Sequence, residues 1–468
     1  MLGTGWVIRL RRLMGAIRTA LARHTGLMRL LRRTGVVLHE EGWAGVRLRA
    51  RLLFSVQPDP GLEQPLALGT VPADSALPAP EQVPGWRHIC RPGLPPGAVL
   101  IGHPYAVLGR AEDVRTGACA FAAAHIPFAL RNTFGEYGKE MAVLHRDFPL
   151  MDRIDPQAAY KANIFFLNAN EMGDAFTHLG ADAYAGRYNI GYWAWELSQF
   201  PEAWQGAFRD LDEIWAPSRF IQQAVADKAP CPVVWMPLAV EPVSPAPLSR
   251  AYFGLPDDRF LLLFFFDFRS FIQRKNPWAA LRAFTAAFQD DALAPVSLVI
   301  KMNGMDACPE DYQAFLNSDA VRDPRVILID RVMDGGEIKE LVRLCDCFLS
   351  LHRSEGFGRG LAEAMYFGKP VIATGYSGNL DFMNEANSCL VDCTLIPVGA
   401  DAYPHGAGQR WAEPDVEQAA WYLRRLVADA AYTADLGQRA AHYIRTYHSF
   451  AAAGARHRRR LEQLGLLN

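Results

Sequence analysis

Several scarcities narrow the class of this chain before any motif is read. No apolar run approaches the length that spans a bilayer; the most hydrophobic stretch, residues 261–268, is strand-sized and broken by Asp267. Eight cysteines among 468 residues show no metal-ligand spacing: Cys345 and Cys347 are one residue apart, and Cys389 and Cys393 flank Val391. They read as reduced thiols in a reducing compartment, which argues against a disulfide-built secreted scaffold and for a cytoplasmic protein. The net charge is only −2 and half of the residues are hydrophobic. A disordered chain has neither property. No sequence repeat links the two halves of the chain.

Charge is unevenly spread. Residues 1–54 hold eleven Arg, no Lys and two Glu, a balance of +9, so the remainder is net acidic. Trp6, Ile8, Leu10, Leu13, Ile17 and Leu21 can share a helical face, with Arg9, Arg11, Arg12 and Arg18 on the other side. Two readings of residues 1–55 stand: a basic amphipathic helix on an anionic membrane surface, or a helical extension packed on the protein with a solvated Arg face. Arg9, Arg11 and Arg12 interrupt the apolar region that a cleaved signal peptide would need. Without interleaved aromatics, no nucleic-acid partner is expected.

A length of 468 residues exceeds one ordinary core, and two domains are expected. Residues 56–97 are rich in Pro, Gly and Ala and read as a linker. Short apolar strands at 98–102, 127–130, 162–167, 188–193, 213–216 and 233–236 form a first α/β region, assigned to residues 98–240. A proline-rich stretch, 237–256, precedes a second region, 241–450. Its strands are read at 260–266, 296–301, 325–330, 347–351 and 370–374, with helices at 276–288 and 336–345. Residues 451–468 make a final basic helix. Continuous apolar strands separated by helices imply parallel sheets covered on both faces. The fold class is therefore α/β, with two Rossmann-like domains facing across a cleft.

The most informative stretch runs from Ser354 to Met365: Ser-Glu-Gly-Phe-Gly-Arg-Gly-Leu-Ala-Glu-Ala-Met. An apolar strand enters it and a helix-forming run leaves it. A glycine-rich turn at a helix start aims backbone N–H groups and the positive end of the helix dipole at one point, which suits a phosphate. Glu355 and Glu363, eight residues apart, lie about two helical turns from each other and can share one side of the element. Carboxylates accept hydrogen bonds from hydroxyls. A phosphate site flanked by two of them suits a nucleotide sugar. Upstream, Arg269, Arg274 and Lys275 follow the 260–266 strand, where ligands of parallel sheets bind.

These residues resemble the E-x7-E signature of retaining family 4 glycosyltransferases, which have the GT-B fold. The resemblance implies that Glu355 contacts donor-sugar hydroxyls and Glu363 the nucleotide ribose, with Gly356, Phe357 and Gly358 forming the donor turn. It implies that Arg269 and Lys275, six positions apart, face the donor diphosphate, with Arg274 able to substitute for Arg269. Val332 belongs to a loop implied to hold the base, and Gly378 and Asn379 to a loop lining the same cleft. In the first region Gly109 and Glu112 match part of a glycine-rich loop that faces the donor phosphate in the family. Tyr192, Trp193, Trp195 and Glu196 resemble a bacterial subset from surface-polysaccharide pathways. Glu196 stands near where the family often has a His, and the aromatics either stack on sugar rings or form core.

The leading expectation is a retaining hexosyltransferase. It uses a nucleoside diphosphate sugar as co-substrate, needs no metal or other cofactor, and acts on a glycan or lipid-linked acceptor, in the cytoplasm or on the inner membrane face. Two alternatives remain at this point: a sugar-nucleotide epimerase of the same fold, and a non-catalytic donor-binding subunit of a polysaccharide assembly complex.

Overall fold

The structure, a computed structural model, describes residues 91–106, 109–133, 148–242, 247–291 and 293–468. The basic stretch 1–54, with its membrane and packing readings, and most of the proline-rich segment 56–97 lie outside the described residues.

Strands β1 (Ala98–Gly102), β2 (Phe128–Asn132), β3 (Ala162–Phe165), β4 (Tyr188–Tyr192), β5 (Glu213–Ala216) and β6 (Val233–Trp235) form one sheet in the order β2-β1-β3-β4-β5-β6. Strands β7 (Phe260–Asp267), β8 (Val296–Asn303), β9 (Val326–Ile329), β10 (Cys347–Ser350), β11 (Val371–Thr374) and β12 (Cys389–Val391) form a second, ordered β12-β11-β10-β7-β8-β9. All pairings within the two sheets are parallel. This is the two-domain α/β GT-B architecture expected from the sequence.

Alternate residues of one strand enter different hydrophobic clusters. In the first sheet Leu100 and Ile164 join one cluster, and Val99, Ile101 and Phe165 another. In the second, Leu261 and Leu263 part from Leu262 and Phe264 in the same way. Both faces are covered, which is why these strands read as unbroken apolar runs.

Sheet order reverses between β7 and β10 in the second domain and between β1 and β3 in the first. Such switch points open a crevice at the carboxyl ends of the strands. Helix Pro277–Phe288 starts with Pro at its first turn, and Asn276 before it takes a left-handed conformation at φ 53°. An antiparallel hairpin, β13 (Cys393–Pro397) with β14 (Arg410–Pro414), lies outside both sheets. The sequence reading did not anticipate it, nor β12.

The last helix, Phe450–Gln463, returns to the first domain and packs on helix Gly109–Ala123. Gly454 makes this approach possible, since a Cβ there would sit 2.2 Å from the Ala120 carbonyl oxygen. Arg458 donates to the carbonyls of Ala124 at 2.9 Å and His125 at 2.8 Å. Arg460 donates through Nε to Glu213 Oε1 at 3.0 Å and through Nη2 to Oε2. Both side chains are fully buried. Trp215 Nε1, at 2.7 Å, and the Tyr188 hydroxyl, at 3.3 Å, complete the shell of the Glu213 carboxylate. A buried ion pair needs such extra donors to offset its desolvation.

Candidate functional site

The turn after β10 sits at the switch point of the second sheet. Gly358 caps helix Arg359–Tyr366 in the left-handed region, at φ 93°. Two contacts tie the turn to the first domain: Ser354 Oγ donates to the Glu196 carbonyl at 2.5 Å, and Ser218 Oγ donates to the Gly356 carbonyl at 2.6 Å. The loop after β11 closes on it from the other side. Ser377 Oγ accepts from the Glu355 N–H at 2.8 Å, and the Gly378 N–H donates to the Glu355 carbonyl at 2.9 Å. A Cβ on Gly378 would meet the Gly356 oxygen at 1.9 Å, so only glycine fits there.

This framework buries Glu355 among cations. Lys275 Nζ donates to Glu355 Oε1, and Arg274 Nη1 lies 3.4 Å from the same oxygen while donating to the Ser354 carbonyl at 2.9 Å. Burial discourages the Glu355 charge, but Lys275 and Arg274 outweigh it and hold the carboxyl at about 2. Burial pulls the Lys275 ammonium below its ordinary value despite the neighbouring carboxylate. Burial also acts against the Arg274 charge, and Glu355 with Glu196 more than compensates. His352, fully buried, links Ser350 Oγ at 3.1 Å to Asn379 Oδ1 at 3.2 Å and stiffens the base of the turn.

Glu363 lies eight residues along, on the helix, only 6 % exposed. Its carboxylate accepts no hydrogen bond from a described residue. Burial lifts its pKa to about 6, opposed by the charges of Lys339 and Arg359. Those two cations bind the first domain instead. Lys339 Nζ is 2.6 Å from Glu112 Oε1, and Arg359 donates to Asp113 Oδ1 from Nη2 at 2.5 Å and Nε at 3.0 Å. Arg115 holds the other Glu112 oxygen at 2.8 Å, and Arg110 the other Asp113 oxygen at 2.6 Å.

Of the residues expected at the donor site, the structure brings Lys275, Arg274, Glu355 and the backbone of Gly356, Gly358 and Gly378 together. Others lie elsewhere or are engaged otherwise. Arg269 is 39 % exposed and 3.3 Å from Asp306. The Phe357 ring packs on Phe382 and His448. Asn379 is fully buried and donates to the Thr374 carbonyl at 3.0 Å. Val332 is exposed. Gly109 has open space around its Cα, and Glu112 is saturated by cations.

The first-domain aromatics are core. Tyr192 donates to the Met236 carbonyl at 2.7 Å, Trp193 stacks on Phe200 at 5.6 Å, and Trp195 donates to the Gln199 carbonyl at 2.8 Å. All three are buried, so their rings are not presented for stacking on sugars. Glu196 does face the cation cluster. Its carboxylate accepts from the hydroxyl of Tyr403, a residue the sequence reading did not single out. Among the described residues no group of three or more His, Cys, Asp or Glu is placed to hold a metal ion, and no helix is long and apolar enough to cross a membrane.

Comparison with known proteins bears on this arrangement. Residues 322–443, which span the Glu355 turn and Glu363, match the family model described as Glycosyl transferases group 1. HepE of Anabaena, solved in complex with UDP and glucose, is similar in structure at TM-score 0.55 and 15 % identity, over 78 % of this chain and 99 % of that one. Sucrose-phosphate synthase of Thermosynechococcus elongatus gives 0.56 and 14 %, over 80 % of this chain and all of that one. A glycosyltransferase of Rickettsia africae gives 0.55 and 12 %, over 79 % and 98 %. No curated protein matches the chain by sequence. At these identities the structures speak to fold, which is GT-B. The domain match adds support for a nucleotide-sugar glycosyltransferase.

Proposed function

We propose that this protein is a retaining, metal-independent glycosyltransferase that moves a hexose from a nucleoside diphosphate sugar to a glycan or lipid-linked acceptor. The observation that carries the reading is Glu355, buried against Lys275 and Arg274 at the β7–β10 switch point, with the Glu363 carboxylate, which accepts no hydrogen bond from a described residue, eight residues on. The roles follow from the chemistry. Lys275 and Arg274 stabilise the charge that grows on the departing diphosphate, together with the N–H groups at the start of helix Arg359–Tyr366. Glu355 accepts from donor-sugar hydroxyls, and Glu363 accepts from the ribose.

The sugar–phosphate C–O bond breaks as the acceptor oxygen bonds to the same carbon from the same face. The acceptor proton passes to a phosphate oxygen. Such a reaction needs positioning and charge stabilisation more than a protein base. Glu196, on the first-domain side, orients the acceptor hydroxyl or stabilises positive charge on the sugar. HepE, solved with UDP-glucose, makes a uridine donor the first to try. The resemblance to surface-polysaccharide enzymes favours a bacterial glycan acceptor, and the basic stretch 1–54 favours work at the cytoplasmic membrane face.

The test is a thermal-shift panel of UDP, GDP, ADP, dTDP, CMP and their common sugars, followed by nucleoside diphosphate release from each sugar. A ligand of the folded state raises Tm. One nucleotide is expected to stand out, with its sugar consumed when an acceptor extract is added. No shift and no release with any of them would sink the proposal. Epimerised donor without acceptor would replace it by the epimerase reading.

A further inference from the structure

The hairpin loop between β13 and β14 crosses from the second domain to the first. At its root, Glu413 pairs with Arg353 at 2.6 Å and the Ala412 N–H donates to the Arg353 carbonyl at 3.0 Å, one residue before Ser354. At its far side, Gln409 clasps the main chain of Gln199. Its Oε1 accepts from the Gln199 N–H at 2.9 Å, and its Nε2 donates to the Gln199 carbonyl at 3.2 Å. His405 packs edge-on against Trp204 at 5.1 Å. Between these anchors Tyr403 is wedged by Phe271 at 4.8 Å, Trp195 at 5.7 Å and Trp411 at 6.5 Å.

The Tyr403 ring has little freedom in that setting, so its hydroxyl is a fixed donor. It points at Glu196 Oε2. The Glu196 main chain is held as well, by Ser354 Oγ at 2.5 Å, and the Ser354 carbonyl in turn accepts from Arg274. The Arg274 guanidinium carbon stands 5.9 Å from the Tyr403 ring centroid. Glu196 is thus pinned at backbone and carboxylate beside the Arg274–Lys275–Glu355 cluster, although it belongs to the other domain. A carboxylate on a flexible side chain gains defined direction only from such a partner, and misplacement of about 1 Å can cost about 100-fold in rate.

We propose that Tyr403 is a positioning residue: the β13–β14 hairpin carries it across the cleft so that its hydroxyl fixes the Glu196 carboxylate against the cation cluster. The functional consequence rests on the transferase reading above, whereas the positional claim does not.

The test uses Tyr403→Phe, which keeps the ring and its packing and removes only the hydroxyl, with Tyr403→Ala to expose the packing contribution. Crystal structures of the full-length wild-type and Tyr403→Phe proteins are compared at Glu196. The carboxylate is expected to leave its position while Gln409 stays on Gln199; a carboxylate that stays in place overturns the proposal. In parallel, kcat and KM are measured for nucleoside diphosphate release from the panel sugar that wild type consumes. The expectation for Tyr403→Phe is a kcat lower by about 100-fold with donor KM and Tm unchanged, and no further loss when Glu196→Gln is added. A kcat equal to wild type, or independent losses from the two changes, overturns it. Should wild type respond to no nucleotide, the transferase reading fails, and the position of Glu196 still decides for or against Tyr403.

Discussion

Both domains gather acidic and basic side chains at the carboxyl edge of a parallel sheet, and they use them differently. In the first domain Glu112 and Asp113 each have two cationic partners, and every carboxylate oxygen is engaged. In the second domain Glu355 shares one oxygen with two cations, and Glu363 is buried with no hydrogen-bond partner among the described residues. Saturated charges hold a structure together. Unsaturated ones keep acceptor capacity that the hydroxyls of a ligand can fill. The same distinction separates aromatic from aromatic: Trp193 and Trp195 are consumed by packing, while Tyr403 sends its hydroxyl to a carboxylate of the other domain.

Substitutions should divide along that line. The largest effect is expected at Glu355→Gln and Lys275→Ala. Each should lower nucleoside diphosphate release by about 100-fold or more in a protein that still folds, with a lower unfolding midpoint because each breaks the buried Glu355 ion pair. Normal turnover in either would place the chemistry elsewhere. Next comes Glu112→Ala, which strands Lys339 and Arg115. Denaturant unfolding should show a loss of about 3 kcal/mol, with donor affinity kept within about threefold. Lost affinity at full stability would instead make Glu112 a ligand contact.

The pH response should separate the two signature carboxylates. Glu363 titrates at about 6 in the fold, against an ordinary 4.5. It therefore favours the folded state below 4.5, and that contribution is lost as pH rises through about 6. Glu355, held at about 2, does the reverse: its contribution is present above 4.5 and is lost as pH falls toward 2. If ionised Glu363 accepts from the ribose, affinity for the panel nucleotide sugar should drop roughly tenfold per pH unit below about 6. Glu363→Gln should flatten this profile, and a flat wild-type titration would remove Glu363 from the nucleotide site. The smallest effect is expected at Arg269→Ala, less than about tenfold in turnover, because its ion pair with Asp306 is solvent-exposed. A loss as large as that of Lys275→Ala would restore Arg269 to the diphosphate.

The parts that could be read in advance share a physical cause. Strands such as β1 and β7 are apolar on both faces, so they stand out as runs. Strand β12 has three residues, and β13 leaves Thr394 and Leu395 exposed, so neither carries a run or a clean alternation. The Glu355 turn was legible because strand, glycines and helix follow one another locally. Which of two arginines meets Glu355 was not, because it depends on the positive φ of Phe271, 65°, which turns the short helix Ile272–Lys275 and sends Arg274 inward. Tyr403 had no local signal either: its partner lies 207 residues away. Among its described residues the proline-rich stretch carries no sheet strand, with β6 ending at Trp235 and β7 starting at Phe260.

The placement of helix Phe450–Gln463 has a consequence for the order of synthesis. Glu213 is encoded well before Arg460, and until that arginine leaves the ribosome the first sheet has a carboxylate in its interior with no counter-ion. The first domain, although translated first, buries Glu213 against a partner that is translated almost last. The second domain has its six-stranded sheet by Val391 and the helices that supply Leu423, Leu426 and Leu436 to its core by Tyr447, all before Arg460. Premature termination before Arg460 should therefore injure the half of the molecule made earliest.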